Sequence, residues 1–163
     1  VHHGRFTPVL FTSRTIKTLT AVALLAAVGF TTQAFAGEDD IKYRKATMKA
    51  VGGHMTAIST ILKTDAGRPG DIALHANAMA DLAKISAHVF PEGSSKMDGE
   101  TEATMAIWEK PEDFKKVTMA FIAESEKLAQ VAGSGDKAAI GAQLGALGKN
   151  ACKACHDDFR EKK

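Results

Sequence analysis

Apolar positions downstream of about Asp40 recur at intervals of three, four and seven residues. That spacing is typical of one face of an α-helix, whereas a half-buried β-strand alternates apolar and polar residues. No run of the chain alternates in this way for long enough to indicate a strand. The pattern therefore predicts an all-α domain, which turn-forming stretches divide into four segments.

The first two segments are separated by a turn-forming stretch at residues 65–70. The first runs from about Asp40 to Lys63, and the acidic residues at its start favour a helix N-terminus. The second begins at Asp71, a candidate N-cap, and runs to about Val89 before Pro91 stops it. Their apolar stripes are Ile41, Met48, Val51, Met55, Ile58 and Leu62 in the first, and Leu74, Ala78, Leu82, Ile85 and Val89 in the second.

The last two segments follow a loop at residues 91–99, which we expect to cover part of the functional site. The third opens near Pro111, whose fixed φ suits a first helical turn, and the fourth starts at about Asp136. Their stripes are Phe114, Val117, Phe121, Leu128 and Val131, then Ile140, Leu144, Leu147 and Ala151. Four helices of similar length with short or moderate connections predict an antiparallel four-helix bundle.

The N-terminal region has the pattern of a secretory signal peptide. Arg14 and Lys17 precede an apolar run at residues 19–30, and Ala34-Phe35-Ala36 follows it with small residues at the cleavage-determining positions. The run is too short to span a bilayer comfortably, and no second hydrophobic segment follows, so an uncleaved anchor is the less favoured alternative. We therefore predict a cleaved signal peptide at 1–36, a mature domain at 37–163, membrane contact only during export, and a periplasmic location.

Cleavage at this site would change the charge of the protein. The full chain has 21 basic and 19 acidic residues, but Arg5, Arg14 and Lys17 leave with the signal peptide. The mature chain then has 18 basic residues against 19 acidic ones, a formal net charge of −1. The basic balance of the whole chain is thus no argument for nucleic-acid binding, and we expect none.

The stretch Cys152-Lys153-Ala154-Cys155-His156 carries the candidate chemistry. In a helix, the two cysteines and the histidine stand at i, i+3 and i+4 and share one face. Both sulfurs can then form thioethers with one porphyrin while the imidazole binds its iron. This pattern predicts one covalent haem c, with Cys152 and Cys155 as its anchors and His156 as the proximal metal ligand.

Three other interpretations of the motif remain open at this point. A thioredoxin-like redox pair would lie near a βαβ unit and gives no reason for the adjacent histidine. A structural zinc site needs four ligands, and the chain has only two cysteines. A disulfide across two residues usually belongs to a redox enzyme. The predicted export favours haem, because bacteria attach haem c outside the cytoplasm.

The chain resembles the class II c-type cytochromes, the group that contains cytochrome c′ and cytochrome c-556, over residues 38–163. The motifs that carry the resemblance are Tyr43-Arg44 with Met48, Val89-Phe90-Pro91, Ile107-Trp108 before Phe114, and the haem motif followed by Phe159-Arg160. The resemblance implies a four-helix bundle with its haem attached near the C-terminus. It also implies that a homodimer could form through the first two helices.

Two arginines acquire expected roles from this resemblance. It implies that Arg44 lies near a haem propionate, where a guanidinium can pair with the carboxylate in a bidentate manner; a free surface arginine is the alternative. It also places Arg160, four residues after His156, beside the proximal histidine. A solvated cation at the helix C-terminus is the alternative for Arg160.

Met48 separates the two function classes that we consider. As a sixth iron ligand it would favour electron transfer to and from periplasmic redox partner proteins. As an unbound steric gate it would leave iron open to nitric oxide or carbon monoxide. We favour ligation by Met48, because Gly52 and Gly53 should let the helix and the haem approach closely. The gas-binding function is the alternative.

We do not expect an enzyme. A peroxidase needs an acid/base group on the open side of its haem, and the first helix offers only Met48, Val51 and glycines there. The remaining histidines of the mature domain, at positions 54, 75 and 88, are expected at the surface or at the rim of the haem site.

Overall fold

The computed structural model describes residues 37–68 and 70–162; the predicted signal peptide lies outside these ranges. Within them the secondary structure is helical, apart from one isolated antiparallel bridge between Ala103 and Arg160. The predicted all-α fold is confirmed. None of the helices in these two ranges is both long and apolar enough to cross a membrane.

Four long elements form the bundle. Helix α1 is Glu38–Lys63 and α2 is Asp71–Ser86; a single turn, α3 at Ala106–Glu109, precedes α4 at Pro111–Ala132. The fourth element begins with α5, Lys137–Leu147. Helix α1 packs against α2 and α5, and α4 packs against the same two helices, so each long helix touches two neighbours around one core.

The C-terminal element is not a regular α-helix. Helix α5 leads into a π-helical segment, Gly148–Lys153, which is followed by α6, Ala154–Phe159. A π-helix forms i→i+5 hydrogen bonds, and such short segments occur often at functional sites. The haem motif begins inside this segment, so its prediction as part of a continuous α-helix is wrong locally.

The helix termini follow from local chemistry. The Gly37 N–H donates to the Asp40 carboxylate at 3.1 Å at the start of α1. The Asp136 carboxylate caps α5 by accepting from the N–H groups of the second and third residues after it. Helix α2 ends at Ser86, before the predicted Val89, and the Val89 carbonyl instead accepts a hydrogen bond from Arg44 at 3.3 Å.

The apolar stripes of α1, α4 and α5 meet in a packed core. Ile58, Leu128 and Leu147 are completely buried in it, one from each of α1, α4 and α5. The predicted stripe of α2 is wrong, because Leu74 is 71 % exposed and the helix is rotated so that Ile72, Ala76 and Met79 are buried instead. A second, smaller cluster is built from the loop before α4 and from α6. Its buried members are Ala103, Ile107 and Phe159, with Phe90, Trp108 and Phe114 packed against them. The space between these two clusters defines the candidate site.

Candidate functional site

A cavity of about 880 Å³ lies between α1, the loop that follows α2, α4 and the C-terminal segment. Ligand pockets in proteins usually measure about 300–1,000 Å³, so this one is large enough for a bulky cofactor. All six side chains that the sequence singled out line it. They are Arg44, Met48, Cys152, Cys155, His156 and Arg160.

The two cysteines are free and half-buried at the cavity wall. Burial raises the pKa of Cys152, and burial followed by the charges of Cys152 and Asp158 raises the pKa of Cys155 to about 11. A redox-active Cys-x-x-Cys pair needs the opposite, a lowered thiol pKa that yields a thiolate at neutral pH. The described residues contain no cluster of three or more histidine, cysteine or acidic side chains that could hold a metal ion. The interpretations of this motif as a redox pair or as a zinc site therefore agree poorly with the surroundings of the two cysteines.

His156 stands beside Cys155 in α6 and faces the same cavity. Desolvation lowers the pKa of its imidazole, and the nearby Arg160 guanidinium lowers it further, while Asp157 and Glu102 act in the opposite direction. The neutral imidazole is the form that binds metals. The motif thus presents two thiols and one neutral imidazole to one cavity, the donor set that haem c attachment requires.

Arg160 lies just beyond α6 in extended backbone, so its predicted position on a helical face is wrong, although it does line the cavity. Its Nε donates to Glu102 Oε2 at 2.7 Å, and Nη2 donates to the same oxygen. The Glu161 N–H donates to the Glu102 carbonyl at 2.8 Å. These contacts attach the end of α6 to the loop, a function that sequence reasoning missed for Glu102.

Arg44 is only 3 % exposed, so the alternative of a free surface arginine is wrong. Its Nη1 donates to Ser94 Oγ at 2.7 Å as well as to the Val89 carbonyl, and its Nη2 donates to the Ser94 carbonyl at 2.7 Å and to Thr101 Oγ1 at 3.1 Å. The guanidinium also lies 4.8 Å from the Phe90 ring centroid. All of these partners are uncharged. Burial lowers the pKa of Arg44, and none of the ion pairs found within the described residues includes it.

Helix α1 contributes both cationic and apolar residues to the cavity wall, namely Arg44, Lys45, Met48, Lys49, Val51, Gly52 and Met55. A Cβ placed on Gly52 would meet no atom within 4 Å, so this glycine leaves open space beside Met48. Gly53 is exposed and lies outside the lining. Of the two glycines, only Gly52 therefore has the position that we expected for a close approach of the helix to the haem.

Two hydroxyls that line the cavity are bound to their own helices. Thr118 Oγ1 donates to the Phe114 carbonyl at 2.8 Å, and Ser86 Oγ donates to the Ala83 carbonyl at 2.5 Å. Each donor is already used and turned back toward the backbone. Neither hydroxyl therefore has an O–H free to donate to a molecule in the cavity.

Aromatic rings close the side of the cavity near α6. Phe114 makes edge-to-face contacts with Phe90 and Phe159 at centroid distances of 4.9 and 5.2 Å. Phe114 lines the cavity. Trp108 does not: its Nε1 donates to the Phe90 and Pro91 carbonyls, at 3.3 and 3.2 Å, and its ring packs in the second cluster.

Comparison with known proteins shows the family of this chain. The cytochrome c′ family model matches residues 39–160. A cytochrome c′ from Rhodospirillum rubrum is 41 % identical over 147 residues, which is 89 % of this chain and 99 % of the relative.

Two solved structures show the same fold. A cytochrome c′ described as having ligand-controlled dimer dissociation gives a TM-score of 0.72 at 26 % identity, over 78 % of this chain and 98 % of the other. A ferrous variant of cytochrome c prime from Alcaligenes xylosoxidans with bound NO gives 0.70 at 28 % identity, over 79 % and 99 %.

Proposed function

Because the chain belongs to the cytochrome c′ family and carries one haem c attached through Cys152 and Cys155, we propose that it binds a diatomic gas, nitric oxide or carbon monoxide, at an open side of the haem iron. The observation that carries this proposal is the NO complex of a similar cytochrome c prime, together with the apolar side chains of Met48, Val51 and Met55 that α1 contributes to the cavity here. It replaces the electron-transfer function that we favoured from the sequence, which the comparisons support less well.

The cavity residues fit the cofactor. Two thiols and an imidazole meet at one wall, and the buried cation Arg44 stands at another, where all of its hydrogen-bond acceptors are uncharged. A haem propionate would supply a negative charge in direct contact with the guanidinium. Because the four terminal N–H groups of Arg44 already have neutral acceptors, Nε is the group left for a propionate, and we expect one hydrogen bond rather than a bidentate pair.

When bound, the haem supplies an iron centre that can take a diatomic ligand. We assign His156 as its proximal ligand and Arg160 as a cation held beside that histidine by Glu102. Met48 acts as a steric gate on the α1 wall. Its flexible thioether can move aside for a small ligand, and the hydroxyls of Ser86 and Thr118 have no O–H left to donate to a bound one. We assign no residue a catalytic role.

The electron-transfer alternative keeps one supporting observation, since Met48 does line the cavity. The optical spectrum of the reduced protein distinguishes the two functions, with Met48→Leu as a variant that keeps bulk but removes the sulfur. We expect a high-spin spectrum in the native protein and in both Met48→Leu and Met48→Ala. Carbon monoxide should associate faster in Met48→Ala only, because only that change removes the bulk of the gate.

A matched control is Met97→Ala. Met97 is 87 % exposed and lies outside the cavity lining, so its loss should leave carbon monoxide association unchanged. The contrary result would be a low-spin spectrum with a sharp α band that is lost in both Met48 variants and kept in Met97→Ala. It would show that Met48 binds the iron and would support electron transfer as the function.

We also propose that the chain acts in the periplasm after removal of residues 1–36. Haem attachment would then depend on export. The mature chain, produced without its signal peptide in a cytoplasm that lacks attachment machinery, should contain little covalent haem by pyridine haemochrome assay and mass measurement. A normal haem adduct in that protein would contradict the proposal.

A homodimer through α1 and α2 is a further part of this proposal, because one similar cytochrome c′ is described by its dimer dissociation. Sedimentation of the purified holoprotein with and without carbon monoxide tests both the dimer and its response to a ligand. A monomer at all concentrations would rule it out.

A further inference from the structure

Two histidines form a contact that the haem site does not use. The Nδ1 atoms of His54 on α1 and His75 on α2 are 2.9 Å apart, and their ring centroids are separated by 5.2 Å with the planes tilted by 55°. Both side chains are partly exposed, and neither lines the haem cavity. The pair therefore lies where a hydrated ion from solvent can reach it.

The chemistry of this contact limits its protonation. Two Nδ1 atoms at this distance share one proton, since one ring must donate and the other accept. Replacing the shared proton with a metal ion would make the lone pairs of both Nδ1 atoms available for coordination.

We propose that His54 and His75 form a binding site for a divalent copper ion, separate from the haem. With metal–nitrogen bonds of about 2.0 Å, the 2.9 Å spacing gives a nitrogen–metal–nitrogen angle of about 90°, as in a tetragonal site. A tetrahedral ion such as zinc would need nitrogens roughly 3.3 Å apart. Copper also has the highest affinity among the common divalent ions for nitrogen ligands.

The coordination sphere would be completed by water. No third histidine, cysteine or carboxylate joins the pair to form a metal-binding group within residues 37–68 and 70–162. The bound ion would connect α1 to α2, two helices that already pack together. Because it binds only where the two rings are brought together, copper should stabilise the native state.

The test is a titration of the ferric holoprotein with copper(II) chloride, followed by electron paramagnetic resonance. His2 and His3 belong to the segment 1–36 that we propose is removed on export, so they are absent from the mature holoprotein and cannot compete. We expect one axial copper signal per chain, with hyperfine splitting from two imidazole nitrogens, and a rise in melting temperature. His54→Gln and His75→Gln should each weaken binding by about tenfold or more, because each removes a direct ligand.

The matched control is His88→Gln, which changes an exposed histidine and should leave the copper affinity unchanged. The haem absorption spectrum of each variant checks that it is folded. Equal affinity in His54→Gln, His75→Gln and the unsubstituted protein would overturn the site. If either variant fails to fold, the spectrum of the unsubstituted protein decides, since a copper signal with fewer than two imidazole nitrogens would also overturn it. Tighter binding of zinc chloride than of copper(II) chloride would overturn the assignment to copper.

Discussion

The packed core and the haem cavity are built from the same helices but are stabilised differently. Helix α1 contributes Ile58 to the core, where it is completely buried by other apolar side chains. About three turns earlier the same helix contributes Met48 to the cavity wall, where it is only partly buried. Both residues belong to one helical stripe. An apolar stripe therefore shows which face is buried but does not show whether protein or cofactor covers it.

Removing the haem anchors should produce the largest effect. The double substitution Cys152→Ala, Cys155→Ala would leave the cavity without its covalent cofactor. We expect the free energy of unfolding to fall by about 5 kcal/mol, since a large apolar contact is lost and a cavity remains. In a domain of this size that corresponds to a melting temperature lower by roughly 15 °C. Thermal unfolding followed by circular dichroism measures it.

The control is Lys153→Ala, which changes an exposed residue between the two cysteines and its ion pair with Asp157. Such surface pairs contribute about 0–1 kcal/mol, so haem content and melting temperature should change little. An unchanged transition in the double cysteine variant would mean that the bundle does not depend on its cofactor.

A substitution in the packed core should lower stability without affecting the haem. Leu128 is completely buried, and Leu128→Ala should lower the free energy of unfolding by about 3 kcal/mol through lost contacts and a new void. Urea titration measures this, and the haem spectrum should stay unchanged. Leu74→Ala, at a leucine that is 71 % exposed, should change stability by less than about 0.5 kcal/mol. A shifted haem spectrum in Leu128→Ala would show that the two regions are coupled.

Arg44 connects the cavity wall to the loop, and its replacement should have an intermediate effect. Arg44→Lys keeps the charge but cannot serve all four acceptors of the planar guanidinium. Buried carbonyls left without donors should lower the free energy of unfolding by about 2 kcal/mol. Limited proteolysis should then cut between Val89 and Thr101 more readily. Arg68→Lys, at an exposed position, is the control; equal stability of the two variants would contradict a structural role for Arg44.

The smallest effect should come from pH. Burial and the neighbouring His75 lower the pKa of His54 in the folded protein, so the unfolded chain takes up its proton more readily. The stability contribution of neutral His54 is complete above the ordinary value of 6.5 and is lost as the pH falls from there toward the folded pKa. We expect only about a few tenths of a kcal/mol, because solvent screens this group. Urea midpoints at several pH values should show the slope, which His54→Gln should flatten and His88→Gln should not.

Periodicity and one short motif predicted most of the fold and the position of the site. The four segments, the two cysteines and His156 were found because helical spacing and Cys-x-x-Cys-His are local patterns. Arg44, Met48 and Arg160 were found through the resemblance to the class II c-type cytochromes. The partners of Arg44 could not be found in this way. Ser94 and Thr101 are 50 and 57 residues distant in the chain, and no local spacing connects a helix to acceptors in an irregular loop.

The histidine pair and the early end of α2 escaped prediction for the same reason. His54 and His75 lie on different helices, 21 residues apart, and the relative rotation of two packed helices decides whether they meet. Helix α2 stops at Ser86 although apolar residues continue to Val89, and the carbonyls of Val89, Phe90 and Pro91 accept hydrogen bonds from the distant side chains of Arg44 and Trp108. Short-range sequence patterns predict which helices form. Contacts between distant residues, such as the histidine pair, can be seen only once the helices are packed together.

The π-helical segment Gly148–Lys153 has a consequence for helical phase. Each α-helical residue advances the side-chain direction by about 100°, and a π turn takes up about one extra residue, so everything after it is rotated by about that angle. Leu144 and Leu147 point into the packed core, whereas Cys155 and His156, beyond the segment, line the cavity. Deleting one residue within the segment would restore a continuous α-helix and turn the haem motif away from its present direction. One added residue thus lets a single helix serve two differently oriented walls without breaking its chain of backbone hydrogen bonds.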